Sequence, residues 1–432
     1  MLNKNISITA GTAIAISMVI GSGLFGLPGL AIEATDPLTA FVGWLIVIGI
    51  MPPMIQVFSK LGREFPTAGG VTVYASYAFG KWSEAGFTLV ICGALAVGMP
   101  AFFMVGGAYL VEFLNLNAEV WLLPMSIILA ILSTLMNIAG VSRFAFINKF
   151  VVVTVIALMI AIALMAFRNL SGEVINFEET FSQSIGDIGQ IWLVASIVFW
   201  AFQGWENLSF GLEEFKNPDR SIPIVFWASF ALISLIYIVF AMATTLASLS
   251  GYNVTGLAGV TALMGEGKLR SVLLVITVLV LVANANSWVF GSSRAFYSAG
   301  ARGYLPSFLA SLNNNKLPIR SLVILLIVYI VVMTVMNLFD IHAKYAFLLT
   351  TQGFIILYGA SIIAYWKLTS GFISKVIALA ALGSWGFLMH GFGPLILYPV
   401  VLFLIGMAVF RLQGKSKVGL VENGDAPKDK DK

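Results

Sequence analysis

Charge is what this chain of 432 residues has least of: Asp, Glu, Lys and Arg make up 10% of it, against about 25% in a soluble domain. That scarcity excludes the reading of its length as two or three soluble domains. There is one cysteine, Cys92, so no intramolecular disulfide and no cysteine metal cluster can form. It lies in an apolar run and reads as a small buried hydrophobe. The two histidines, His342 and His390, fall near span ends. Two histidines do not by themselves build a typical catalytic zinc site, and no serine motif stands opposite them, which argues against an intramembrane hydrolase. No catalytic residue, metal or cofactor is expected, and the chain does not read as an enzyme. The net charge of +4 sits in interhelical loops and carries no nucleic-acid signal.

What the chain has in abundance is hydrophobic residues, 59% of the total, with a mean hydropathy of +0.97. At about 20 apolar residues per crossing, twelve spans are predicted, near 6–31, 38–58, 84–111, 120–140, 146–167, 190–212, 222–248, 271–299, 321–338, 344–366, 372–389 and 392–411. Segment 59–83 is too polar to cross and predicts a loop leading into a short interfacial helix. The N-terminal stretch after Lys4 has no small-residue cleavage site and does not read as a signal peptide. An even span count puts both termini on one side. With that side cytoplasmic, only Arg168, Lys268, Arg270 and Lys344 of the 24 basic residues fall outside, as the positive-inside rule asks. The expected arrangement is a transmembrane domain over 1–419 and a disordered cytoplasmic tail over 420–432.

Two spans are interrupted. Ile20-Gly21-Ser22-Gly23-Leu24-Phe25-Gly26-Leu27-Pro28-Gly29 in span 1 holds four glycines and a proline, each costly in a helix interior. Phe199-Trp200-Ala201-Phe202-Gln203-Gly204-Trp205-Glu206-Asn207 occupies the matching place in span 6. Unwound backbone survives at membrane depth only where it lines a cavity or is buried in protein, and paired breaks of this kind point to a secondary transporter. The second break comes five spans after the first, which predicts an all-α polytopic fold with a 5+5 inverted repeat, repeat one over about 6–167 and repeat two over about 190–366. Two further helices follow over about 372–411.

The breaks predict the binding chemistry. N–H groups of Ser22, Gly23 and Leu24 at a helix N-terminus suit a carboxylate, and Gly21 and Gly23 allow close approach to the backbone. Carbonyls of Ile20 and of Phe199 to Phe202 suit an ammonium. Donors and acceptors so close together fit a zwitterionic α-amino acid; the competing explanation is that the glycines serve tight helix packing. Of the 20 acidic residues, Glu206 alone lies well inside a span, where an ionisable group by default marks function. It is the candidate proton carrier, or else a protonated group pinning span 6 to a neighbour. Trp200 beside the second break is placed to close over substrate, and Trp288 in span 8 to wall the pocket.

Four motifs carry a resemblance. Gly21-Ser22-Gly23-Leu24-Phe25 is similar to a G-S-G-I-F signature. Arg63-Glu64-Phe65-Pro66-Thr67-Ala68-Gly69-Gly70 is similar to R-x-[YF]-P-[ST]-A-G-G. Glu214-Phe215-Lys216-Asn217-Pro218-Asp219-Arg220-Ser221-Ile222-Pro223 is similar to E-x-K-N-P-x-R-x-I-P, and Ser293 to Pro306 is similar to S-R-x-x-x-x-x-A-R-D-G-x-L-P. In this order they resemble the amino acid/polyamine/organocation (APC) superfamily over roughly 10–320, and within it the bacterial exporters of methionine and branched-chain amino acids. The resemblance implies that Gly21 to Leu24 take the substrate carboxylate, that Trp200 gates, that Glu206 senses protons and that Trp288 walls the pocket. It also implies a home in the bacterial inner membrane. Some proton-coupled relatives carry a lysine in mid-span 5. Here that stretch reads Phe150-Val151-Val152-Val153-Thr154-Val155, so proton coupling rests on Glu206, while Ser287, Ser292 and Ser293 leave a sodium site open. The expected activity is proton-linked export of neutral apolar amino acids. The alternatives are an importer or exchanger of other amino acids or amines and, more remotely, an amino-acid sensor that does not transport.

Overall fold

The computed structural model describes residues 6–66, 70–139, 153–162, 164, 188–209, 211–314, 317–391 and 393–412. The protein is helical throughout these residues, with a single parallel bridge between Ile6 and Phe215. Eleven helical segments are long and apolar enough to cross a membrane. They match eleven of the twelve expected spans, making this a multi-pass membrane protein. Of the predicted fifth span, near 146–167, the described part is the short apolar helix Val153–Ile162. The 420–432 tail lies outside the described residues.

Span 1 is two helices, α1 (Ile8–Val19) and α2 (Ser22–Ala34). The break is narrower than the glycine count suggested. It falls at Ile20 and Gly21, and α2 runs on through Pro28. Span 2 is α3 (Pro37–Glu64), started by Asp36, whose carboxylate accepts from the N–H groups of Leu38 and Thr39, each at 3.0 Å. The polar segment after it forms α4 (Gly70–Phe79). Tyr74 of α4 is fully buried, so this helix is embedded in the protein rather than lying only at an interface. Spans 3 and 4 are α5 (Lys81–Leu114) and α6 (Ala118–Ala139), and Val153–Ile162 is α7.

Span 6 is broken into α8 (Ile188–Val198), a 3-10 turn at Phe199–Phe202, an extended step at Gln203 and Gly204, and α9 (Trp205–Ser209). Gly204 sits at φ +131°, backbone that side chains rarely tolerate, and it is what lets the chain turn here. Spans 7 to 12 are α10 (Pro218–Leu249), α11 (Gly267–Ala301), α12 (Ile319–Leu338), α13 (Ala343–Leu368), α14 (Phe372–His390) and α15 (Leu397–Leu412).

Burial sorts these helices. In the most apolar stretch of span 1 and of α13, 83% of residues are buried, against 17% in α14 and 11% in the last span. Span 1 and α13 therefore lie at the centre, and the two final helices leave most of their side chains exposed at the periphery.

Candidate functional site

The two breaks meet backbone to backbone. A Cβ on Gly23 would stand 2.7 Å from Ala201 Cα and 2.9 Å from its Cβ, so only glycine lets the half-helices come this close. The tight-packing explanation for Gly23 is thus met directly, and it coexists with a polar void beside the contact. That void measures about 10 Å3 and is lined by Met18, Val19, Gly21, Ser22, Gly23, Phe102, Trp200, Gln203, Asn284 and Trp288. Such a space holds about one water. An amino acid enters only if its walls part.

Trp200 is one of those walls. Its indole N–H donates to Ser22 Oγ at 3.1 Å, tying the second break across the first. Phe347 of α13 meets the indole edge-on at 4.9 Å, and Gly98 of α5 leaves room for the far end of the ring. Trp288 is another wall, and its indole N–H donates to Met18 O at 3.0 Å.

The carbonyls released at the end of α1 are taken up by side chains. Asn284 Nδ2 donates to Ser17 O and, at 2.9 Å, to Ile20 O. The Tyr237 hydroxyl lies 3.1 Å from Val19 O and 2.7 Å from Ala201 O, bridging the two breaks. Trp200 O accepts from the Gln203 N–H at 3.1 Å. In this closed arrangement the carbonyls of Ile20, Trp200 and Ala201 already have donors. On the other side of the break the Leu24 N–H donates to Gly21 O at 3.0 Å. The N–H groups of Ser22 and Gly23 are first-turn donors that a helix leaves without intrahelical partners.

The residues singled out from sequence therefore divide. Gly21, Ser22, Gly23, Trp200 and Trp288 surround one void. Ile20, Leu24, Phe199 and Phe202 are buried next to it without lining it. Phe199 packs on Tyr358 with ring centres 5.4 Å apart, and Phe202 packs on Tyr237 and Trp44 at 5.0 and 6.4 Å. Sequence reasoning passed over Gln203, Asn284 and Tyr237. A polar residue inside the second break was the available signal for Gln203, and an asparagine within the apolar run of span 8 was that for Asn284; Tyr237 gave none.

Glu206 stands one turn beyond the void. It is 1% exposed, and among the described residues it is the one acidic or basic residue that is buried. Oε1 accepts from the Gly204 N–H at 2.9 Å and Oε2 from the Tyr358 hydroxyl at 3.0 Å. The carboxyl thus joins the extended step of span 6 to α13. Below it, Ser209 Oγ donates to Glu206 O at 2.5 Å and accepts from the Val71 N–H at 3.1 Å, linking α9 to α4. The serines of span 8 are engaged with their own helix: Ser287 with Ala283 O, Ser292 with Trp288 O and Ser293 with Phe290 O.

Known proteins match this architecture over nearly its full length. MhsT, solved in complex with L-phenylalanine, superposes with a TM-score of 0.62 at 14% identity, covering 94% of this chain and 100% of that one, which shows a shared fold. The uncharacterized amino acid permease YecA of Bacillus subtilis is 24% identical over 96% of this chain and 97% of its own. The L-methionine/branched-chain amino acid exporter YjeH of Escherichia coli is 26% identical over 86% and 87%. The gamma-aminobutyric acid permease of Bacillus subtilis is 27% identical over 82% and 77%. Residues 6–418 match the family described as amino acid permease, and with two interrupted helices crossing at Gly23 and Ala201, the chain belongs to that family of amino-acid transporters, within the APC superfamily.

Proposed function

We propose that this transporter exports neutral apolar amino acids, methionine, leucine, isoleucine and valine among them, in exchange for protons. It would sit in a bacterial cytoplasmic membrane with both termini inside, the orientation that leaves only four basic residues on the outer face. The observation that carries the substrate class is the lining of the void. It offers the Ser22 and Gly23 N–H groups, amides and aromatic rings, and no charged side chain. A zwitterion supplies its own pair of charges to such a site. A second charge on the substrate would be buried unpaired, at a cost of several kcal/mol in effective terms. The exporter YjeH, whose name carries the same substrates, supports this reading.

The proton path in this reading is Glu206, held between Gly204 and Tyr358. A carboxyl beside a moving break meets different solvation in the outward- and inward-facing states, hence different proton affinity, which is what coupling requires. Counterflow in proteoliposomes with labelled amino acids tests the substrate assignment. Methionine, leucine, isoleucine and valine exchange, and arginine and glutamate do not. Competition by arginine or glutamate equal to that by leucine would overturn it.

A further inference from the structure

One side chain among the residues of the void, that of Gln203, has both polar ends unpaired. Gln203 is 3% exposed, and neither Nε2 nor Oε1 has a hydrogen-bond partner. Its backbone is committed, since its N–H donates to Trp200 O, and Gly204 with its positive φ follows directly. The side chain is thus delivered to the cavity by a fixed piece of chain. Buried polar atoms in proteins are nearly always paired, and an amide left with both ends open is costly unless something else completes it. Among the unpaired buried groups, Gln203 and Asn284 are the two that line the void beside Ser22 and Gly23, where the proposed substrate would sit.

The chemistry of the missing partner can be read from the amide. A carboxamide presents an acceptor and a donor side by side. Its complement is a group with a donor and an acceptor at similar spacing, which the ammonium and carboxylate of an α-amino acid provide. Three of the five backbone acceptors expected for the ammonium already take one donor each in this structure: Ile20 O from Asn284, Ala201 O from Tyr237 and Trp200 O from Gln203's own N–H. Asn284 Oδ1, also buried and unpaired on the same void, is a second free acceptor.

We propose that the Gln203 side chain binds the head of the substrate, Oε1 accepting from the ammonium and Nε2 donating to the carboxylate, with Asn284 Oδ1 as a further acceptor for the ammonium. Gln203 is then the residue that selects an intact α-amino acid over either half of one. The inference rests on the amino-acid transport reading and assigns one of its contacts. An amine lacking the carboxylate leaves Nε2 unpaired, and an acid lacking the amine leaves Oε1 unpaired. Sites with buried polar groups discriminate strongly against ligands that fail to pair them.

Competition against labelled leucine in proteoliposomes tests this, with 3-methylbutylamine and 4-methylpentanoate as the two truncated competitors. Wild type is expected to bind leucine on the order of 100-fold more tightly than either. Gln203→Met keeps side-chain length and removes both polar ends. It should weaken leucine by roughly 10- to 100-fold while changing each truncated competitor far less. Gln203→Glu keeps acceptors, loses the donor and adds negative charge, so it should shift preference toward the amine and away from the acid. If Gln203→Met binds leucine within about twofold of wild type, the inference is overturned. If that variant fails to insert, Gln203→Glu decides: an unchanged ratio of amine to acid affinity overturns the assignment. Absence of any amino-acid counterflow in wild type would instead refute the transport reading itself.

Discussion

At the first break the carbonyls of Ser17, Met18, Val19 and Ile20 are each met by a side chain from span 7 or span 8, through Asn284, Trp288 and Tyr237. At the second break most ties are internal. Gln203 N–H returns to Trp200 O, Glu206 accepts from Gly204 N–H, and outside help comes from Tyr237 and Tyr358. Both breaks face the same difficulty, backbone groups released where lipid cannot pair them. The first solves it with neutral donors on α10 and α11, whose bonds do not change with pH. The second solves it partly with a titratable group. On the proposed reading, a proton taken up at Glu206 would act on the ties of span 6 and not on those that Asn284 and Trp288 make to span 1.

The sharpest way to break this comparison is to force the two breaks apart. Gly23→Val places a branched Cβ where Ala201 Cα lies 2.7 Å away, so transport should be abolished rather than merely weakened. Because the contact is structural as well as functional, melting temperature should fall too. Counterflow and thermal unfolding of the purified variant check both, and wild-type flux would mean that the close Gly23–Ala201 contact is not needed at any stage of the cycle.

Asn284→Leu removes the donor shared by Ser17 O and Ile20 O. Each carbonyl left unpaired costs about 1–3 kcal/mol. The expected result is a destabilised protein whose residual transport keeps the wild-type pH profile, since the second break is untouched. An altered pH profile in this variant would show that the breaks do not divide the work as described.

Glu206→Gln has the smallest effect on stability and the most specific effect on function. The Gln amide can accept from the Gly204 N–H through its oxygen and donate to the Tyr358 hydroxyl through its nitrogen, but cannot give up a proton. Substrate binding should persist within a few-fold while flux loses its response to an imposed pH gradient. Amino-acid flux measured with and without the gradient separates the outcomes. Undiminished proton-driven flux would reduce Glu206 to a pin between span 6 and α13.

Much of this is legible in the sequence itself. Glycine and proline clusters betray broken helices because their helix cost is intrinsic, and Glu206 stands out because a charge within an apolar run is rare. The faces of the second break were not legible. Phe199 and Phe202 stand out in the sequence for their carbonyls, and nothing there tells that their rings pack on Tyr358, Tyr237 and Trp44. Leu24 lost its place as a donor to a local bond with Gly21 O, a detail of cap geometry that composition does not encode. Tyr237 could not be found at all, since a tyrosine in an apolar span gives no sign of which distant carbonyls it will reach.

The crossing of Gly23 and Ala201 bears on how the transporter cycles. Side chains at an interface can change rotamer and let two elements creep past one another in small increments. Backbone pressed on backbone has no rotamers to spend. Its available motions are to stay seated or to separate as rigid bodies, and a void too small for substrate lies alongside. Packed contacts of that kind are bistable rather than continuously deformable. Opening should therefore be a discrete event in which one half-helix leaves the other, giving a transport cycle with few long-lived positions and abrupt passage between them.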